Sequence, residues 1–300
     1  MYHAMALSLG ARRASRLGPF GAVVRRLVGM PPRPAANRRG VPAASLEQQV
    51  AWIEAELAVA GRAELAPTLR ELPRHFLLAR PAESIAAHLV LAAEPVAAGQ
   101  VRTRTRETER AGVWELLVVA RDRPGLLATM AGVLALRGVD VLAADAATRD
   151  DGTALDAFTV RTTGEASPWT ALAADLADAL SGRRPVDERI AEHHADGPPP
   201  ESAPVVSIRE GDPRYTVFEV RGPDRLGLLY RVTRALYELR LDVHYAEIET
   251  LGAEVLDRFY VRDLGGERLD PARAKIAADT VGQQLAAWFG VAAGAPRSRS

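Results

Sequence analysis

The chain has 300 residues, 38 basic and 38 acidic side chains, and no cysteine. That composition excludes a disulfide framework, a thiolate metal site and a cysteine nucleophile, and zero formal charge argues against non-specific attraction to phosphate backbones. The length fits two or three small domains of a cytoplasmic protein, and no stretch has the apolar length of a bilayer-spanning helix.

Residues 1–44 carry eight arginines, no acidic residue and a Pro-Pro-Arg-Pro cluster from Pro31. They read as a disordered basic arm; Phe20 to Val24 is too short for the apolar core of a secretory signal. Residues 45–108 read as a helical connector. Ser45 and Gln48 have the spacing of a capping box, followed by Leu46, Val50, Ile53 and Leu57 on one helical face. A second helix is expected after Pro81, with Glu83 in its first turn and Ile85 and Leu89 buried.

A first repeat is expected over 109–192: strand 113–120, helix 126–137, strands 139–148 and 153–161 joined at Asp151-Gly152, then a helix opened by Ser167-Pro168. Trp169, Leu172, Leu176 and Leu180 form the stripe of that helix, Gly182 its stop, and a fourth strand is placed near Val186 to Ile190. Residues 193–204, with Pro198-Pro199-Pro200, read as a linker. The second repeat, 205–290, adds an edge strand at Val205 to Arg209, then strand 215–221, helix 227–239 and strands 242–250 and 254–263. A final helix capped by Asp270-Pro271 runs toward Phe289, and 291–300 reads as a flexible tail.

The repetition is explicit. Asp122-Arg123-Pro124-Gly125-Leu126-Leu127 returns as Asp224-Arg225-Leu226-Gly227-Leu228-Leu229, and Met130 and Leu134 return as Val232 and Leu236. Asp140-Val141 matches Asp242-Val243, Thr148 matches Thr250, and Leu155-Asp156-Ala157-Phe158 matches Leu256-Asp257-Arg258-Phe259. The periods fit an antiparallel sheet with two helices on one face, giving two α+β repeats of ferredoxin-like βαββαβ type.

A βαββαβ unit with Asp-Arg-Pro-Gly-Leu-Leu between its first strand and helix resembles the ACT domain, a ligand-sensing module of amino-acid metabolism. The ordered set Leu72-Pro73-Arg74-His75-Phe76, Ile85-Ala86-Ala87-His88-Leu89, Trp169 and Asp257-Arg258-Phe259-Tyr260-Val261 resembles the C-terminal region of the bifunctional uridylyltransferase/uridylyl-removing enzymes that modify PII, over roughly residues 65 to 290. That resemblance implies a nitrogen-linked sensor for a small amino acid, glutamine first, paired through its ACT repeats within a chain or across a homodimer, and read by a catalytic partner or a PII-type protein. The Gly-Gly-Ser turn, Asp-x-Asp pair and His-Asp doublet of that family's catalytic domains do not occur in this sequence. An alternative is a fragment of such an enzyme, or a dimerisation platform without a ligand.

Neither a cofactor nor a metal is expected, and no catalysis: nucleophile-elbow, Walker, His-Glu-x-x-His and dinucleotide motifs are missing, and His193-His194 lies in the linker and reads as part of a solvated loop. RRM-type nucleic-acid binding lacks its aromatics, since the first repeat offers only Phe158 on its third strand. The expected ligand residues are the two elbows, Asp122, Arg123, Pro124, Gly125 and Leu126, with Asp224, Arg225, Leu226, Gly227 and Leu228. Helix-start amides there suit a carboxylate, and Gly125 and Gly227 allow close approach. Asp122 and Asp224 have two open roles, accepting a bond from an α-amino group or capping the helix. Pro124 becomes Leu226, so the second loop loses a fixed φ. Asp156 and Asp257 read as solvent-facing strand positions, with the lining of an interface between the repeats as the other reading of Asp257.

Overall fold

Ser45 accepts from Gln48 N while Gln48 returns a bond to the Ser45 amide, and this reciprocal cap starts α1, Leu46–Val59. The computed structural model describes residues 45–162, 169–183, 186–191 and 202–290; the basic arm, Ser167-Pro168, His193-His194, the proline cluster and the tail lie outside them. These residues form two units, one built from 45–70 and 77–90, the other from 71–76 and 91 onward. In the first, α1 buries Gln49, Trp52, Ile53 and Leu57, so its inner face is turned from the expected Leu46–Val50 stripe. The Gln49 amide makes that position inward-facing by donating to Arg80 O at 2.8 Å. A 3-10 helix at Ala63–Glu71, the short α2, Arg74–Ala79, and α3, Ala82–Leu91, follow, with Ile85 and Leu89 buried as expected. Ser45→Ala is expected to cost about 1 kcal/mol, read as a lowered thermal midpoint.

The second unit holds two antiparallel sheets. The first contains β1, Val101–Glu107; β2, Val113–Arg121; β3, Val139–Thr148; and β4, Thr153–Thr162, in the order β1-β2-β4-β3. Helix α4, Leu126–Leu136, connects β2 to β3, and α5, Trp169–Leu180, follows β4. The second sheet repeats the plan with β5, Val205–Arg209; β6, Thr216–Pro223; α7, Leu228–Glu238; β7, Leu241–Glu247; the two-residue β8, Thr250–Leu251; β9, Glu254–Asp263; and α8, Pro271–Phe289. Its order is β5-β6-β9-β7, with β8 also on β9.

Each repeat is therefore an α+β sandwich of ferredoxin-like type, but its edge strand arrives first in sequence. The expected fourth strand at Val186 to Ile190 is instead helix α6, Val186–Ala191. Val186 and Ile190 are both buried and sit four apart, the helical spacing, and Arg189 reaches Asp175 at 3.2 Å. Its place beside β2 is taken by β1, within the stretch read as connector; Val-Arg-Thr-Arg-Thr-Arg-Glu alternates as a strand must, though with little apolar content to announce it.

Buried residues on the helix-facing sides of the sheets include Leu116, Val118, Phe158, Phe218 and Phe259, under Leu126, Met130, Leu134 and Leu228, Val232, Leu236 of the two equivalent helices. Helix α4 packs on α7, and β3 lies beside β7, so the repeats are joined through equivalent elements. Gly132 lies in a closely packed place. A Cβ there would stand 2.3 Å from Val186 Cγ1 and 2.9 Å from Tyr230 Cδ2.

Candidate functional site

Both strand-to-helix elbows adopt the same geometry. Gly125 (φ 78°) and Gly227 (φ 89°) are left-handed N-caps that only a residue without Cβ takes at low cost. Leu126 N donates to Arg123 O at 3.1 Å and Leu228 N to Arg225 O at 2.9 Å. The next first-turn amides, of Leu127 and Ala128 and their counterparts, are those a helix leaves without an internal acceptor, at the positive end of its dipole.

Neither aspartate caps its helix, which settles one of the two roles left open by the sequence. Asp122 Oδ2 accepts from Thr148 Oγ1 at 2.9 Å, tying the elbow to β3. The arginines diverge. Arg225 lies over Trp288 and Phe289, 4.8 and 5.6 Å from the ring centroids, and donates to Trp288 O at 3.3 Å; Arg123 is exposed at the surface.

Each elbow faces the other repeat across a small cavity. The first, about 30 Å³, is bounded by Asp122, Gly125 and Asp156 on one side and by Tyr237, Asp242 and His244 on the other. The second, about 20 Å³, sets Asp224, Gly227 and Asp257 against Ala135, Asp140 and Val141. A larger groove of about 240 Å³ shares Arg123, Gly125, Ala128 and Tyr237 with the first cavity and adds Tyr230 and Arg234. Tyr237 stands over Gly125, 3.0 Å from where a Cβ would be, whereas the nearest atom to the corresponding point at Gly227 is Ala135 Cβ at 3.8 Å.

Asp156 and Asp257 are buried, 4% and 2% exposed, and correct the expectation of solvent-facing positions. The strand alternation explains why: Asp156 shares its parity with Phe158 and Val160, and Asp257 with Phe259 and Val261, all helix-facing. Burial, reinforced by the Asp122 charge, pushes the Asp156 carboxyl up to about 8. Burial likewise takes Asp257 to about 8, against a hydrogen bond from Glu249 N at 3.2 Å and with the Asp224 charge adding to the rise. That bond accompanies the break between β7 and β8, where one continuous strand was expected.

Asp140 and Asp242 complete the equivalence. Burial raises both, with Arg161 opposing the rise at Asp140 and His244 at Asp242. His244 Nε2 lies 3.7 Å from Asp242 Oδ2, and burial lowers the histidine. Each ladder shifts register at the same point, Val141/Ala143 and Val243/Tyr245; His244 is the extra residue of the second bulge, a device that re-aims side chains. Sequence reasoning passed over Tyr237, Asp242 and His244 as site residues because they come from the other repeat. Among the described residues, no cluster of His, Asp and Glu has the arrangement of a metal site.

The ACT domain family model matches residues 114–174. The bifunctional uridylyltransferase/uridylyl-removing enzyme of Rhodospirillum rubrum is 38% identical over 185 residues, 57% of this chain and 19% of that protein. Its counterpart in Gluconobacter oxydans is 39% identical over 178 residues, 54% and 18% of the two chains. Among solved structures, aspartate kinase from Synechocystis covers 58% of this chain and 27% of its own, at 17% identity and a TM-score of 0.33. The chain is thus a relative of these uridylyltransferases through an ACT-containing region, and spans about a fifth of their length.

Proposed function

We propose that the two repeats form an amino-acid sensor, with the first elbow as its main site and glutamine, the ligand implied by the sequence resemblance, as the leading candidate. What carries this reading is the meeting at one elbow of first-turn amides that lack acceptors and a buried carboxylate, Asp156, on the boundary between two repeats. A zwitterion has the two charges that such a place rewards. The helix start accepts the carboxylate, the acidic side the ammonium group, and the adjoining groove of about 240 Å³ receives the side chain past Tyr237.

The second elbow supports a weaker site, since Arg225 is held by Trp288 and Asp257 by Glu249 N. Occupation of the first changes contacts between α4 and α7 and between β3 and β7. That coupling is the physical form of a regulatory signal to a catalytic partner or a PII-type protein. In this reading the chain regulates and does not catalyse. Titration calorimetry with L-glutamine, beside glycine, serine and branched-chain amino acids, is expected to show saturable heat for glutamine with one dominant site. No heat for any of them at millimolar concentration removes the sensor.

A further inference from the structure

We propose that Asp156 is the counter-charge for a primary ammonium group, so that a ligand enters the first elbow as an amine cation and its binding expels the proton that Asp156 carries. This rests on the sensor reading and adds the chemical group that is recognised.

Asp156 Oδ2 is buried without a hydrogen-bond partner and borders the elbow cavity. Its ladder neighbours, Val118 on β2 and Ala146 on β3, offer no charge. The titratable and charged groups around it are Asp122 and Arg123 on the elbow, Tyr237 on α7, and Asp242 and His244 on β7. Asp122 is already engaged by Thr148, Arg123 is exposed at the surface, and burial keeps His244 toward its neutral form. Among the described residues no cation therefore compensates Asp156, and an isolated buried carboxylate takes up a proton instead of remaining charged. A cavity of about 30 Å³ admits a group the size of water or ammonium, not a whole amino acid. Its shared border with the larger groove lets an amine end enter while the remainder stays outside. In the second repeat the corresponding carboxyl already accepts from Glu249 N, which is why the assignment is to the first elbow.

Proton release has a definite sign. The free carboxyl holds its proton up to about pH 8, and an ammonium contact lowers that value, so affinity rises with pH below 8 and levels off above it. Between pH 6 and pH 8 the association constant is expected to grow roughly 50-fold if the bound form is fully ionised throughout.

The experiment is calorimetry of L-glutamine and glycine in buffers of different ionisation enthalpy. It is run on the wild-type chain and on Asp156→Asn, with N-acetyl-L-glutamine as the ligand lacking an ammonium group. The expected result is release of close to one proton per bound amino acid at pH 7, the stated pH dependence, no binding of the acetylated ligand, and loss of both affinity and proton release in Asp156→Asn. Amino-acid binding with no buffer dependence, or equal binding of the acetylated ligand, overturns this inference and leaves the sensor standing. No binding of either amino acid overturns both. The wild-type proton count and the acetylated ligand decide the matter even if Asp156→Asn fails to fold.

Discussion

Raising the pH from 6.5 to 8 is expected to destabilise this protein by on the order of 3 kcal/mol, about half from each of Asp156 and Asp257. Their folded-state values, about 8, lie above the ordinary carboxylate value of 3.8. Between those limits the native state holds protons that the unfolded chain has lost, so stability is fully present below the unfolded value and drains away as pH climbs toward 8. His75 works in the opposite direction. It is half-buried and stacked on Tyr245, ring centroids 3.6 Å apart, and that burial lowers it to about 4. From pH 4 to 6.5 its unfolded form binds the extra proton, which offsets one of the two aspartates; above 6.5 nothing from this histidine opposes them. Thermal midpoints should therefore fall gently to pH 6.5 and steeply beyond. The double variant Asp156→Asn/Asp257→Asn should flatten the upper limb and be more stable than wild type at pH 8. A wild-type profile that stays level from 6.5 to 8 contradicts the neutral-carboxyl account. Stabilisation of the Asn variant alongside weakened ligand binding would be the familiar conflict between a comfortable core and a working site.

Gly132→Ala is expected to lose about 1–3 kcal/mol by overpacking, against the gain of up to about 1 kcal/mol that replacing glycine in a helix ordinarily brings. The 2.3 Å approach of the added carbon to Val186 Cγ1 decides the sign. Valine has one preferred rotamer in a helix, so relief requires α6 to shift. That shift pulls on Arg189 and on Asp187, which accepts from Tyr230 Oη at 2.7 Å. Denaturant unfolding of Gly132→Ala, Val186→Ala and the pair provides the check, with the pair expected to recover much of the loss. Additive effects of the two changes would mean that these residues do not meet.

Much of this molecule was legible in the sequence. The repeated elbow, its helix face, the strand before it and the two strands after it all emerged from apolar spacing, because each buries one face and repeats the other's pattern. What stayed hidden has local causes. Val186 to Ile190 was too short for its spacing to be distinguished from a strand, and β1 is nearly all arginine and threonine, so no apolar alternation announced it. The site was half visible. Asp122 and Gly125 were found by recurrence, but Tyr237, Asp242 and His244 reach the first elbow from the other repeat, and only the packing of α4 on α7 brings them there. Asp156 was visible and misread, although its parity with Phe158 already pointed inward.

The early placement of β1 and β5 has a consequence for synthesis. A ribosome releasing this chain delivers every ladder of the second sheet by Asp263, before α8 exists. Trp288 and Phe289, which hold Arg225 in place, emerge only with the end of that helix. The growing polypeptide thus presents one finished elbow and one open one for a time, and the second is fastened last.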